Sequence, residues 1–234
     1  VGESTQTVWL IDWQTPSANH YAVAEEVTVL GQHTKRPDVV LYVNGLALSV
    51  IELKRSKVSL TEGIRQSIGN QSKDFIRPFF STVQYLFAGN DAEGLRYGVI
   101  DTAEKYWLEW KEESDVDSPL DRALLQMCSK YRLLELVHDF IVFDKGVKKG
   151  PRHNQYFGVK AAQKRIAQRE GGIIWHTQGS GKSLTMVWLA KWIRESQVGT
   201  DPRVLIITDR TELDDQIEKV FKGVNETIYR TKSG

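Results

Sequence analysis

Apolar residues recur in short runs through the first half of the chain, and these runs predict β-strands. Turn signals such as Asn44-Gly45 separate them. Six strands are predicted, over residues 22–30, 38–43, 46–54, 83–88, 95–100 and 106–111. Helical spacing of apolar positions predicts two helices in the same part of the chain, over residues 60–75 and 120–140.

The second half has a different pattern, in which strand-like and helix-like segments alternate. The predicted order is strand 173–175, helix 183–195, strand 204–208 and helix 212–221. Alternation of this kind is typical of a parallel sheet with crossover helices, which is an α/β architecture.

A basic segment separates the two halves. Residues 145–169 carry eight Lys or Arg residues and no acidic residue. The segment is either a solvated linker with one charged helix face or an edge that faces DNA. We therefore predict two domains, 1–144 and 145–234.

The composition is that of a globular protein, with 41% hydrophobic and 26% charged residues in a chain of 234. The 31 Lys and Arg residues balance the 30 Asp and Glu residues, so net charge does not indicate a partner. Cys128 is the only cysteine, which excludes an internal disulfide. No run is long enough to span a membrane, and no signal peptide is expected. Because the chain starts at Val1 without a Met, we expect it to be a fragment.

A glycine-rich loop between the first strand and the first helix of the second half predicts a phosphate site. Backbone N–H groups that converge beside glycines can bind phosphates, and the helix N-terminus adds a favourable dipole. Lys182 is expected to reach the β- and γ-phosphates, and the Ser183 hydroxyl to ligate Mg²⁺. His176 stands where the strict motif has glycine. The loop comprises Thr177, Gln178, Gly179, Ser180, Gly181, Lys182 and Ser183.

Two neighbouring segments extend this prediction. The amide of Gln155, on the basic segment, can pair with both a donor and an acceptor on an adenine edge. Asp209 and Arg210 follow the second predicted strand, at the carboxyl end where ligands bind in open α/β sheets. No later strand ends in paired acids, so we expect weak ATP binding without hydrolysis by this chain alone.

The predicted hairpin of residues 38–54 places charged side chains at the end of a buried strand. Glu52 and Lys54 share one face of the strand because side chains alternate, and Asp38 lies near Glu52 on the partner strand. Burying these charges costs free energy unless something compensates.

The register of this hairpin decides whether the three side chains meet. A two-residue Asn44-Gly45 loop with unbroken pairing sets Asp38 opposite Ile51, on the wrong face. A three-residue loop with a bulge at Gly45 sets Asp38 opposite Glu52. We therefore predict a bulged turn, or an irregularity beside Asp38.

Two adjacent carboxylates suit a hard divalent cation such as Mg²⁺. Lys54 can then hold or polarise a water, an arrangement suited to phosphodiester hydrolysis. A partly buried network of Asp, Glu and Lys ion pairs with no catalytic role explains the same residues equally well.

Taken together, these motifs resemble a known family. Pro37-Asp38 followed by Glu52-Leu53-Lys54 resembles the PD-(D/E)xK nuclease motif. Combined with the phosphate loop and Asp209-Arg210, it resembles the restriction (motor and nuclease) subunit of type I restriction-modification enzymes. The resemblance implies a PD-(D/E)xK mixed sheet with flanking helices, followed by the truncated start of a RecA-like lobe of the superfamily-2 helicase kind.

The resemblance also implies roles for individual residues. In the nuclease part, Asp38 and Glu52 would bind Mg²⁺ and Lys54 would assist the attacking water. The family carries a Gln-x-x-x-Tyr element on the following helix; Gln66 matches its glutamine, and Asn70 stands at the tyrosine position. Residues that would hold ATP or its Mg²⁺ are Gln155, Thr177, Gly179, Ser180, Gly181, Lys182 and Ser183.

The implied protein is a cytoplasmic, Mg²⁺-dependent endonuclease driven by ATP. It would translocate double-stranded DNA and cut unmodified foreign DNA when assembled with modification and specificity subunits. Three alternatives stay open. They are a helicase or NTP-binding module with an inactive nuclease-like domain, a repair-type nuclease–helicase acting at DNA ends, and an interaction scaffold.

Overall fold

The structure, a computed structural model, describes residues 8–196 and 201–230. The chain divides into two compact units, and the division falls between His138 and Asp139.

A five-stranded mixed sheet forms the centre of the first unit. Its strands are β1 (Tyr21–Glu25), β2 (Val39–Val43), β3 (Leu46–Leu53), β4 (Tyr85–Asn90) and β5 (Gly94–Gly98). The strands lie in the order β1-β2-β3-β4-β5. Only β3 and β4 run parallel, and the other neighbouring strands are antiparallel.

Helix α1 (Leu60–Asn70) connects the parallel pair and packs on β3 and β4. Ser59 caps its first turn by accepting a hydrogen bond from the Thr61 N–H. Gly63 faces the sheet, and a Cβ at this position would lie 3.3 Å from the Cβ of Ala88. This close approach brings the following turns of α1 next to β3.

Apolar side chains cover both faces of the sheet. On the α1 side, one buried cluster combines residues of β2, β3 and β4 with α1 and the segment after it, including Val40, Val50, Ile64 and Phe80. On the other side, a smaller cluster comprises Ile11, Val43, Leu48 and Leu134. The central strands β3 and β4 are therefore buried on both faces, and a charged group among them needs partners.

Several predicted elements of this unit differ from the structure. The strand predicted over residues 22–30 ends at Glu25, because Glu26 adopts a positive φ of 50°. The strand predicted over residues 106–111 is wrong: Leu108 makes only an isolated bridge to Tyr97, and Glu104–Tyr106 forms a 3-10 helix. The helix predicted over residues 60–75 ends at Asn70.

The single helix predicted over residues 120–140 is two helices, α2 (Pro119–Cys128) and α3 (Lys130–Asp139). Ser129 between them has an extended backbone, with a ψ of 143°. Its carbonyl accepts the N–H of Leu133 and so begins the second helix. Serine is a favoured residue at the start of a helix, a signal that apolar spacing does not carry.

In its described residues, 139–196 and 201–230, the second unit contains a small hairpin and three helices. These elements are β6 (Val142–Asp144), β7 (Val147–Lys149), α4 (His153–Ala167), α5 (Lys182–Ser196) and α6 (Thr211–Gly223). Three aromatic rings form a cluster within this unit. The ring of Phe140 lies 4.8 Å from that of Tyr156 on α4 and 5.9 Å from that of Trp188 on α5. Among the helices of residues 8–196 and 201–230, none combines the length and apolarity needed to cross a bilayer.

The two strands predicted for the second unit are wrong in this structure. Residues 173–175 and 204–208 have irregular backbone, so the described residues contain no parallel sheet here. Ile173, Trp175, Leu205 and Ile207 are each at least 81% exposed. A buried parallel strand requires neighbouring strands that bond its backbone groups and cover its apolar side chains, whereas most apolar side chains of these segments are exposed.

Candidate functional site

The register of the β2–β3 hairpin places Asp38 across from Glu52. The turn is a two-residue loop, since Val43 pairs with Leu46, and the bulged turn predicted at Gly45 is wrong. The irregularity lies in the middle of β3 instead. Tyr42 pairs with Ala47 but Leu41 pairs with Ser49, so Leu48 is an extra residue.

The side chain of Asn44 explains why the turn takes the tighter form. Asn44 and Gly45 both have positive φ, 49° and 82°, as a two-residue turn of this hand requires. The Asn44 amide accepts a hydrogen bond from the His20 N–H and donates to the Leu10 carbonyl and to Asn19. These contacts hold the tight turn, so the one-residue shift in pairing occurs inside β3. The extra residue, Leu48, packs into the smaller apolar cluster.

Downstream of the bulge, Val39 pairs with Ile51, and the two carboxylates come together at the strand ends. Asp38 accepts a hydrogen bond from the Leu53 N–H at 2.7 Å, which fixes one oxygen against β3. Glu52 is completely buried.

Lys54 and Gln66 complete a connected polar group around these carboxylates. The Lys54 Nζ lies 2.6 Å from Gln66 Oε1 and 3.8 Å from Asp38 Oδ2. The Gln66 Nε2 donates to Glu52 Oε2 at 2.6 Å. The structure thus brings together all four residues assigned to the nuclease site by the resemblance. Glu52 lies in β3, Asp38 just before β2, Lys54 just after β3 and Gln66 in α1.

The environment of Glu52 favours its neutral form. Burial is the largest cause, followed by the negative charge of Asp38, and together they raise the pKa of Glu52 to about 8. The positive charge of Lys54 and a hydrogen bond from Asn70 act in the opposite direction, lowering this pKa. Carboxyls with a pKa raised by burial and by a neighbouring carboxylate are frequent at functional sites and also occur in structural ion-pair networks.

The donor set fits a small hard cation. Asp38 and Glu52 offer carboxylate oxygens, and Mg²⁺ is commonly held by one or two carboxylates, with water or phosphate oxygens in the remaining positions. Within residues 8–196 and 201–230, no group of three or more His, Cys, Asp or Glu side chains is arranged around a common metal position. The two carboxylates are therefore at most a partial ligand set.

In the second unit, the glycine-rich loop precedes α5, which starts at Lys182, one residue before the predicted start. Gly179 and Gly181 have positive φ of 76° and 84°. The Lys182 ammonium donates to the carbonyls of His176 and Thr177, at 3.1 and 2.9 Å. The Ser180 hydroxyl also donates to the Thr177 carbonyl. Lys182 and Ser183 thus lie in the first turn of α5, where a helix favours an anion.

Gln155 lies on α4 and is tied to the loop. Its Nε2 donates to the Gly181 carbonyl at 2.9 Å, and its Oε1 accepts the N–H of Arg152 at 2.8 Å. A Cβ at position 181 would lie 2.3 Å from the same Nε2. Gln155 therefore caps the start of α4 and supports the loop, a structural role that the sequence did not indicate.

The sequence assigned no role to Asn70, which contacts Glu52 in the structure. Its Nδ2 donates to Glu52 Oε1 at 2.9 Å. The spacing of four residues between Gln66 and Asn70 puts both on one face of α1, and this signal was available in the sequence.

Comparisons with known proteins match the two units separately. Residues 1–105 match the family described as type I restriction enzyme R protein N terminus. Residues 154–234 match the family described as SWI2/SNF2 ATPase.

Individual relatives align over nearly the whole chain. The putative type I restriction enzyme MjaIXP endonuclease subunit of Methanocaldococcus jannaschii is 28% identical, covering 99% of this chain and 25% of the relative. The putative MjaVIIIP endonuclease subunit of the same organism is 30% identical over 92% of this chain and 22% of the relative. The HindI endonuclease subunit of Haemophilus influenzae is 26% identical over 98% of this chain and 24% of the relative. The chain spans about a quarter of the length of these relatives.

Proposed function

Because the chain belongs, through its N-terminal residues, to the family of type I restriction enzyme R proteins, we propose that it carries two sites. The first is a Mg²⁺-dependent site that cleaves DNA, in a unit of the PD-(D/E)xK kind. The second is the ATP phosphate loop of a DNA translocase, at the opening of a RecA-like lobe. We propose 1–144 and 145–234 as the corresponding domains.

The observation that carries the nuclease proposal is the convergence of Asp38, Glu52, Lys54 and Gln66 into one hydrogen-bonded group. Asp38 and Glu52 hold Mg²⁺ through their carboxylate oxygens. When bound, Mg²⁺ supplies Lewis-acid chemistry, lowering the pKa of a bound water and offsetting charge on the phosphate.

The ammonium of Lys54 acts beside the two carboxylates. Gln66 and the Leu53 carbonyl accept two of its three N–H groups, which leaves one donor for a water or for a phosphate oxygen. Because the same Gln66 donates to Glu52, it keeps the ammonium and the carboxylate at a set separation. Lys54 therefore orients the attacking water and stabilises negative charge on the phosphate as it is attacked.

At the second site, Thr177, Gly179, Ser180, Gly181 and Lys182 bind the ATP phosphates, and Ser183 ligates the accompanying Mg²⁺. The positive φ of the two glycines and the position of the loop before α5 support this assignment. Gln155 contacts adenine in this proposal while it also holds the loop. The Lys182 ammonium then exchanges two backbone carbonyls for phosphate oxygens.

For the whole protein we propose an ATP-driven subunit in the cytoplasm that moves double-stranded DNA and cuts it. Its partners are the modification and specificity subunits of the same complex. The names of the relatives, which are endonuclease subunits of type I restriction enzymes, support this assignment.

The test uses the assembled enzyme with the full-length subunit. We expect Asp38→Asn, Glu52→Gln and Lys54→Met each to lower plasmid cleavage about 100-fold or more while ATP hydrolysis continues. Lys182→Ala should abolish ATP hydrolysis and cleavage together. Lys111→Met, at an exposed lysine of the same unit, is the control and should cut normally.

The same assay separates the alternatives. Full cleavage by both carboxylate variants would show that the hairpin group is only structural and that the chain is an NTP-binding module with an inactive nuclease-like domain. Cleavage of linear but not circular DNA, without a methyltransferase partner, would identify a repair-type nuclease–helicase.

A further inference from the structure

The last turn of α1 brings a second amide to Glu52. Asn70 Nδ2 donates to Oε1 at 2.9 Å, while Gln66 Nε2 donates to Oε2 at 2.6 Å. Each oxygen of the buried carboxylate thus accepts a hydrogen bond from a different side chain of the same helix. Asn70 itself is 3% exposed, so no bulk water competes for this contact.

The end of α1 is anchored, which keeps Asn70 in place. Gln71, the next residue, donates from its Nε2 to the Ser67 carbonyl and accepts the N–H of Asp101. Asp101 in turn receives two hydrogen bonds from the guanidinium of Arg77, at 2.6 and 2.7 Å. The helix end that carries Asn70 is therefore held by contacts outside the carboxylate group.

The carboxylate plane of a glutamate turns easily about its last side-chain bond. One donor restricts that rotation, and two donors on opposite oxygens define a single orientation. Here the two donors are spaced four residues apart on α1, and the common helix axis keeps them aligned with Glu52.

Building on the proposed nuclease function, we propose that Asn70 is a positioning residue that orients Glu52 for Mg²⁺ binding. It touches neither cation nor DNA and acts through the carboxylate. Partners that orient a metal ligand typically contribute 10–100-fold to affinity or activity.

The decisive variant is Asn70→Leu, which keeps the branched shape of the side chain and removes its N–H donor. We expect the nucleotide-free chain to bind Mg²⁺ about 10–100-fold more weakly, as measured by titration calorimetry at a temperature where thermal unfolding shows the variant to be folded. In the assembled enzyme, the Mg²⁺ concentration for half-maximal cleavage should rise by the same factor, and the rate at saturating Mg²⁺ should fall less. Asn70→Ala, which adds no bulk, should show the same shift.

Ser67→Ala is the matched control. Ser67 is buried on the same face of α1, and its hydroxyl has no hydrogen-bond partner in the part of the chain that the structure describes. We expect it to bind Mg²⁺ as the unmodified chain does.

Three results would overturn the inference. Unchanged Mg²⁺ affinity in Asn70→Leu and Asn70→Ala would overturn it alone, leaving the proposed function in place. An equal loss in Ser67→Ala would show that only the packing of α1 matters. If Asp38→Asn and Glu52→Gln also left Mg²⁺ binding and cleavage unchanged, both the proposed nuclease function and the inference about Asn70 would fail.

Discussion

The ammonium of Lys54 lies 2.6 Å from the amide oxygen of Gln66, a contact between the residue that follows β3 and the middle of α1. The two residues are twelve positions apart in the chain and belong to different elements. The amide nitrogen of the same Gln66 points to Glu52. One side chain therefore sets the distance between a cation and a buried carboxylate, and this bridge motivates the first prediction.

Replacing Gln66 by Leu should lower DNA cleavage about 10–100-fold, because Lys54 and Glu52 lose their shared partner. ATP hydrolysis should stay unchanged, since the phosphate loop is in the other unit. The rates of both reactions by the assembled enzyme are the measurement. Gln126→Leu is a matched control, because that amide donates to the Glu112 backbone carbonyl and not to Glu52. Normal cleavage by Gln66→Leu would contradict the bridging role.

The raised pKa of Glu52 predicts how stability depends on pH when no metal is present. The folded chain keeps this proton up to about pH 8, whereas the unfolded chain releases it near the ordinary pKa of 4.5. The folded state thus binds more protons in this interval, so the free energy of unfolding should fall as pH rises from about 5 to 8. Glu52→Gln should remove this slope and stabilise the chain at pH 8 by about 3–5 kcal/mol.

Urea unfolding in EDTA at several pH values measures this effect. Glu93→Gln provides a control of opposite sign. Hydrogen bonds from the Leu60 N–H and from Asn90 lower the pKa of Glu93, so its contribution is present above the unfolded pKa and is lost as pH falls. If Glu52→Gln kept the slope of the unmodified chain, Glu52 would not be the group responsible.

Asn44 should be a major determinant of the stability of the hairpin. Asn44→Ala removes three hydrogen bonds and places an alanine at a φ of 49°, so we expect a loss of about 2–4 kcal/mol. Asn44→Gly loses the same bonds without the steric cost and should lose less. Thermal unfolding of both variants tests this order, and equal losses would show that the backbone angle contributes nothing.

Gly179 and Gly181 should differ in their tolerance of alanine although both have positive φ. A Cβ at 181 would lie 2.3 Å from Gln155 Nε2, whereas nothing lies within 4 Å of a Cβ at 179. Both substitutions cost about 1–2 kcal/mol for the backbone, but only Gly181→Ala displaces Gln155 from the loop. We expect Gly181→Ala to weaken ATP binding at least several-fold more than Gly179→Ala.

Fluorescent-nucleotide titration measures this difference. In a Gln155→Ala background the clash is absent, so the two glycine variants should then bind ATP alike. A difference that persists in that background would place its cause elsewhere in the loop.

Local patterns predicted most elements of the first unit. Strands β2, β3, β4 and β5 come from apolar runs, and α1 from the helical spacing of its apolar residues. Both signals depend only on neighbouring residues, and these strands are buried enough to be rich in apolar residues. The break at Ser129 was missed because apolar spacing continues across it. The segments at 173–175 and 204–208 show that a strand-like composition is not sufficient, since a strand needs a partner for its backbone groups.

For the site, the sequence by itself determined which chemical groups are present and that Glu52 and Lys54 share a strand face, because side-chain alternation is a local rule. Only the tertiary structure decided that Asp38 faces Glu52, since that depends on the extra residue Leu48 and on contacts made by Asn44. The same holds for the amides of α1, which reach Glu52 because Gly63 lets the helix approach the sheet. Contacts between distant parts of a chain depend on packing, and packing is not encoded in the spacing of neighbouring residues.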